Sequence, residues 1–244
     1  MNTQFSIQLY SVRDVTEKDF VGTLKQLANM GYLGAEFAGF GGISAKDMKS
    51  CLDSFGLKAV ASHVGFDELK GDNLKRQIEY HNIIGAEYIV CPWYKAASID
   101  EVNVLSEVLN TAGEICKSYG IKVGYHNHAH EFEKHEGRFY LDHIMDRTQA
   151  DLVKLELDVY WAEYAGVDCF EYLRKHSDRT ELLHLKQIGE NKKNVDLPDG
   201  SIDMKRLIEQ GLGLGVKHFI VEQEEYKHSS LESARVNIEY LLKL

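Results

Sequence analysis

The chain of 244 residues has only two prolines, Pro92 and Pro198, and no Ser/Gly-rich stretch. Nothing in it therefore marks a linker, and one domain over residues 1–244 is expected. It also lacks a basic surplus. The formal net charge is −10, whereas a nucleic-acid binder shows a basic patch or stripe against the phosphate charge. A nucleic-acid partner is not expected. No apolar run approaches the ~20 residues that span a bilayer. The first residues, Met-Asn-Thr-Gln-Phe-Ser, lack the basic and apolar regions of a signal peptide. No membrane association and a cytoplasmic location are the expectation. The four cysteines, Cys51, Cys91, Cys116 and Cys169, form no C-x-x-C pair and no zinc-finger spacing, which fits free thiols in a reducing compartment.

What is present is a short β-rich run followed by an amphipathic segment, repeated eight times. The β-like runs are Phe5–Tyr10, Gly34–Ala38, Leu57–His63, Glu87–Pro92, Ile121 into His126, Leu152–Asp158, Glu181–Lys186 and Lys217–Glu222. Between them lie helical patterns such as Phe20, Leu24, Leu27 and Met30, closed by Gly31. Ser44 to Asp47 and Ser98 to Glu101 read as capping boxes. Shorter helices are expected over Leu141–Met145, Val167–His176 and Met204–Glu209, and a last one over Ser230–Leu242. Strict alternation implies parallel strands joined by helical crossovers. Eight units in about 250 residues predict a single (β/α)8 TIM barrel of the α/β class. A doubly wound sheet would want a Gly-rich phosphate turn after the first strand, and Gln8–Asp14 contains no glycine. Gly211–Gly215 falls between a helix and a strand and reads as a helix stop.

In such a barrel the active site lies at the C-terminal ends of the strands. Read off those ends, the polar candidates are Gln8, Tyr10, Glu36, His63, Trp93, Asn127, His128, Glu131, Asp158, His184, Lys186, Glu222, Gln223 and Glu224. Three of the eleven histidines, His126, His128 and His130, fall within five residues. Asp158, His184 and Glu222 stand at three consecutive strand ends. Oxygen and imidazole donors of this kind suit one divalent ion such as Mn²⁺, Mg²⁺, Co²⁺ or Zn²⁺. Lys186 shares a face with His184 by the period of two along a strand.

These residues carry a resemblance. The segments Gln8–Arg13, Tyr125–His128, Leu157–Trp161, His184–Lys186 and Val221–Glu224 resemble the xylose-isomerase-like TIM-barrel superfamily of sugar isomerases, epimerases and cyclitol dehydratases, which also includes endonuclease IV. The resemblance implies a metal held by Asp158, His184 and Glu222. It also implies a strand-five carboxylate, for which Glu131 is expected ahead of Asn127. The histidine-rich strand five is closer to inosose dehydratases than to epimerases. Endonuclease IV, with its basic DNA-binding loops, is a poor match for this acidic chain.

The expected activity is a metal-dependent sugar isomerase or epimerase acting through an enediolate on a keto-sugar-like small molecule. The alternatives are a dehydratase or lyase on a keto-cyclitol or 3-keto sugar, and a non-catalytic sugar-binding barrel. Glu222 or His128 is expected as base, with His63 or Lys186 as acid. Gln8, Tyr10, Trp93 and Asn127 are expected against the substrate, and a homo-oligomer is compatible with the sequence.

Overall fold

The computed structural model describes residues 3–244. Eight strands form the barrel: β1 (Phe5–Gln8), β2 (Gly34–Phe37), β3 (Lys58–His63), β4 (Tyr88–Cys91), β5 (Lys122–His126), β6 (Val153–Asp158), β7 (Thr180–Leu185) and β8 (His218–Val221). Each pairs in parallel with its neighbours in sequence, and β8 closes on β1 with Ile7 opposite Val221. The expected (β/α)8 barrel is the observed one.

Alternation along the strands divides the side chains between two environments. On β6, Val153, Leu155 and Leu157 join the apolar layer between barrel and helices. The residues between them, Lys154, Glu156 and Asp158, face inward and are buried. The barrel's own apolar filling is small: Val60, Ala61, Tyr88, Val90, Leu182 and Ile220. Close packing there requires glycine at 34, where a Cβ would come within 2.4 Å of Ser6 Oγ.

Local signals set the helix ends. Asp19, Ser44, Ser98, Asp203 and Ser229 each accept a hydrogen bond from a backbone N–H three residues on. Gly31, Gly56 and Gly215 close their helices in the left-handed conformation, and Gly215 ends the Gly211–Gly215 run as a helix stop. The helix starting at Met204 runs on to Leu214, past the expected Glu209.

Two departures bear on the site. The first strand ends at Gln8, because the Gln8 side chain accepts from Tyr10 N at 2.9 Å and starts a 3-10 turn over Leu9–Val12. After β6 a helix over Val159–Tyr164 precedes the expected one, here Cys169–Lys175. Its N-cap is Asp158, whose Oδ1 accepts from Trp161 N at 3.2 Å.

Candidate metal centre and active site

The inward positions of β5, β6 and β7, with the residues just past β7 and β8, meet at the C-terminal mouth. Asp158 stands level with His184 across the β6–β7 pairing, and Glu156 level with His126 across β5–β6. Ligand atoms of His126, Asp158, His184 and Glu222 lie within 4.8 Å of one another, all buried. His184 Nδ1 is 3.2 Å from Glu222 Oε2, and His126 Nε2 is 3.9 Å from Asp158 Oδ2.

A second group lies on the other side of the same two imidazoles. His184 Nε2 is 2.7 Å from Glu36 Oε2, and His63 Nε2 is 2.8 Å from Glu156 Oε2. His126 Nδ1 comes within 3.2 Å of Glu156 Oε2 without the alignment of a hydrogen bond. Lys186, buried beside the outer group, places Nζ 3.2 Å from Glu222 Oε2 and 3.7 Å from Asp158 Oδ2, and it pairs with Glu224. The Trp161 ring lies under the ammonium at 5.0 Å.

Polar atoms without partners concentrate here. Among the described residues eight buried side-chain N or O atoms have no hydrogen-bond partner. Seven are at this end: Gln8 Nε2, Glu36 Oε1, His126 Nδ1, His128 Nδ1, Glu156 Oε1, Asp158 Oδ2 and Trp161 Nε1. Leaving such atoms unpaired costs about 1–3 kcal/mol each, so their clustering points to groups that bind something. Burial raises the Asp158 carboxyl to about 7, Lys186 opposing and Glu222 adding to the rise. Burial and the nearby Glu156 charge raise Glu36 to about 7. Glu222 is pushed up by burial, yet Lys186 and His184 hold it well below the usual range. Burial keeps His128 neutral, its pKa lowered to about 2.

The donor set fits a divalent cation. It consists of carboxylates and imidazoles, with no thiolate. Burial raises two of the carboxyls, Asp158 and Glu36, even with Lys186 near Asp158, and Asp158 Oδ2 is one of the unpaired atoms.

The expected residues divide into those the fold gathers and those it does not. Asp158, His184, Glu222 and Lys186 converge. His128 lies beside them, its ring 5.1 Å from His126 and 5.3 Å from Trp161. Gln8 is buried with Nε2 free. Glu131, expected as the strand-five ligand, is not in the group. Its carboxylate accepts from Tyr125 Oη at 2.6 Å and from His128 N at 2.8 Å, because the chain turns outward after β5. His126 takes the inward position instead. Asn127, expected against the substrate, has its amide committed to the backbone of Asp158, accepting from N at 3.0 Å and donating to O at 3.3 Å. His63, expected as an acid, faces Glu36 and Glu156 in the inner group. Tyr10 and Trp93 are exposed; Arg13 covers the Tyr10 ring at 4.2 Å, and Trp93 lies 5.9 Å from the His130 ring.

Glu156 is the residue the sequence reading passed over. Its signal was present: it sits two positions before Asp158 in an alternating strand, so it shares the inward face.

Among curated proteins, an inosose dehydratase from Geobacillus kaustophilus is 26% identical over 191 residues, which is 68% of this chain and 61% of that protein. The chain thus spans about three fifths of that relative's length. A solved sugar phosphate isomerase/epimerase from Parabacteroides distasonis is 27% identical, with a TM-score of 0.81 over 99% of this chain and 94% of that one. The IOLI protein, crystallised with a zinc atom, has the same fold at 17% identity, TM-score 0.78, over 99% of this chain and 97% of that one. A family profile described as xylose isomerase-like TIM barrel matches residues 24–244, and with a barrel that closes strand for strand, the chain belongs to the xylose isomerase-like TIM barrel family.

Proposed function

We propose that this barrel is a divalent-metal dehydratase. It would remove a proton next to the carbonyl of a neutral keto-cyclitol or keto sugar and expel the neighbouring hydroxyl as water. The observation that carries the reading is the asymmetry of the site. The strand-five position is an imidazole, His126, where a symmetric isomerase would want a second carboxylate base. Beside Glu222 stands a buried ammonium, Lys186, at 3.2 Å. A base and an acid in contact suit an elimination, in which one takes the proton from carbon and the other gives a proton to the departing oxygen. The naming of the Geobacillus relative as an inosose dehydratase supports the same order of preference.

His126, Asp158, His184 and Glu222 would hold the cation. When bound, it supplies Lewis-acid polarisation of the substrate carbonyl. Glu222 accepts the proton from carbon. Lys186 donates to the leaving hydroxyl and is recharged from solvent past the half-exposed Glu224. Gln8 Nε2, Trp161 Nε1 and His128 Nδ1 are free to orient substrate hydroxyls, and burial keeps His128 uncharged for that role. The Trp161 and Tyr160 rings confine Lys186 from one side, at 5.0 and 5.4 Å.

Isomerisation or epimerisation is the second reading, favoured by the 27% identical isomerase/epimerase structure. Incubation of Mn²⁺-loaded protein with a keto-cyclitol in deuterated water separates the two. Loss of water with an absorbing enone product supports the dehydratase. Deuterium in recovered substrate, or an isomer, without dehydration rejects it.

A further inference from the structure

We infer that Glu36 is a positioning residue for the metal centre, holding Nε2 of His184 so that the ring's other nitrogen faces the cation. The inference rests on the metal reading above and adds which atoms bind. The His184 ring stands between the two groups. Its Nε2 lies 2.7 Å from Glu36 Oε2, while its Nδ1 lies 3.2 Å from Glu222 Oε2. A neutral imidazole has one N–H and one lone pair. With a cation bound, a neutral ring that keeps Nε2–H on Glu36 would turn the Nδ1 lone pair to the cation, in place of the Nδ1–H that Glu222 accepts in this structure.

His126 is turned the other way. Its Nδ1 is 3.2 Å from Glu156 Oε2, and its Nε2 faces Asp158 Oδ2 at 3.9 Å. A cation in the outer group would meet Nδ1 of His184 and Nε2 of His126. His63 joins the two carboxylates from below, with Nε2 2.8 Å from Glu156 Oε2 and 3.5 Å from Glu36 Oε1. A carboxylate that accepts the far N–H of a ligating histidine fixes the ring and raises its basicity, and losing it costs roughly 10–100-fold in metal affinity.

The rival arrangement is a second cation between His63, His126, Glu156 and His184, whose ligand atoms also lie within 4.8 Å. The contacts argue against it. The separations of 2.7 and 2.8 Å are hydrogen-bond lengths, and each needs a proton. Two filled sites would also require His126 and His184 to give up both of their protons.

Metal-stripped protein is titrated with Co²⁺ by calorimetry, and bound metal is counted by elemental analysis. The expected result is one ion per chain, with affinity about 10–100-fold lower in Glu36→Leu and a smaller loss in Glu36→Gln, which keeps an acceptor. Circular dichroism and thermal melting check that the variants are folded. Unchanged affinity in folded Glu36→Leu, or two ions in the wild type falling to one in Glu156→Leu, overturns the inference. Should the variants not fold, a crystal structure of the Co²⁺-loaded wild type decides. A bond to His184 Nδ1 supports the inference and a bond to His184 Nε2 overturns it. Asp158→Asn serves as the separate control, because Co²⁺ binding that survives it rejects the metal centre itself.

Discussion

At the N-terminal end of the barrel one carboxylate, Glu181, meets three ammonium groups and a phenol. Lys122, Lys217 and Lys154 lie 2.5, 3.1 and 3.5 Å from its oxygens, and Tyr88 donates to it at 2.5 Å. At the C-terminal end one ammonium group, Lys186, meets Asp158, Glu222 and Glu224. The lower cluster satisfies itself. Every member has a partner, and its lysines and tyrosine hold Glu181 against the effect of burial, lowering it to about 2. The upper cluster does not: it carries the carboxylates raised to about 7 and the unpaired atoms. Charge that is internally paired serves the fold, whereas buried charge left short of partners is available for a ligand.

The largest expected effect lies at the upper end. Lys186→Gln should lower kcat by about 10²–10⁴-fold, the usual contribution of a positioned acid, with bound metal retained. A variant of unaltered kcat would remove Lys186 from the chemistry and blur the contrast between the two ends.

His81 sharpens the comparison from a third place. Burial lowers its pKa to about 4, a shift comparable to that of Glu36 at the mouth, yet both nitrogens are used. Its Nδ1 donates to Gln77 O at 2.6 Å and its Nε2 accepts from Ser62 Oγ at 2.5 Å. A shifted pKa with no orphaned atom should affect stability and leave the chemistry alone. Because the folded value lies below the unfolded one, the unfolded chain binds the extra proton first. Stability is then full above about pH 6.5 and is lost as the pH falls toward 4, by up to about 3 kcal/mol. Denaturant midpoints at pH 7.5 and 4.5 should show this loss, reduced in His81→Gln. An equal acid loss in the variant would assign the effect to other groups.

The smallest effect belongs to the lower cluster. Glu181→Gln leaves three lysines facing one another, but Lys122 and Lys217 reach solvent, so screening limits the cost to about 1–2 kcal/mol. Activity per folded molecule should not change. A loss of activity with full stability would contradict the division of labour between the two ends.

The barrel was legible in the sequence because its signals are local and repeated: apolar alternation in each strand, a capping side chain before most helices and a glycine after several. Asp158, His184, Lys186 and Glu222 were legible because strand ends have a fixed place in a barrel. The inner group was not, since Glu36, His63 and Glu156 meet only once β2, β3 and β6 face one another across the interior. Glu131, expected as the strand-five ligand, lies outside the group for a related reason. Glu131 is the better hard-metal ligand by chemistry, but where the chain leaves the strand after His126 decides which side chain points inward. Tyr125 and the His128 backbone then capture the Glu131 carboxylate outside the barrel.

We propose a cation at the upper group and none at the lower one. The most direct measurement is the metal content of purified protein after saturation with Mn²⁺ and desalting, compared between wild type, Asp158→Asn and Glu181→Gln. One ion per chain in wild type and in Glu181→Gln, and none in Asp158→Asn, is the predicted result. Equal metal content in Asp158→Asn and wild type, or none in any of the three, would contradict it.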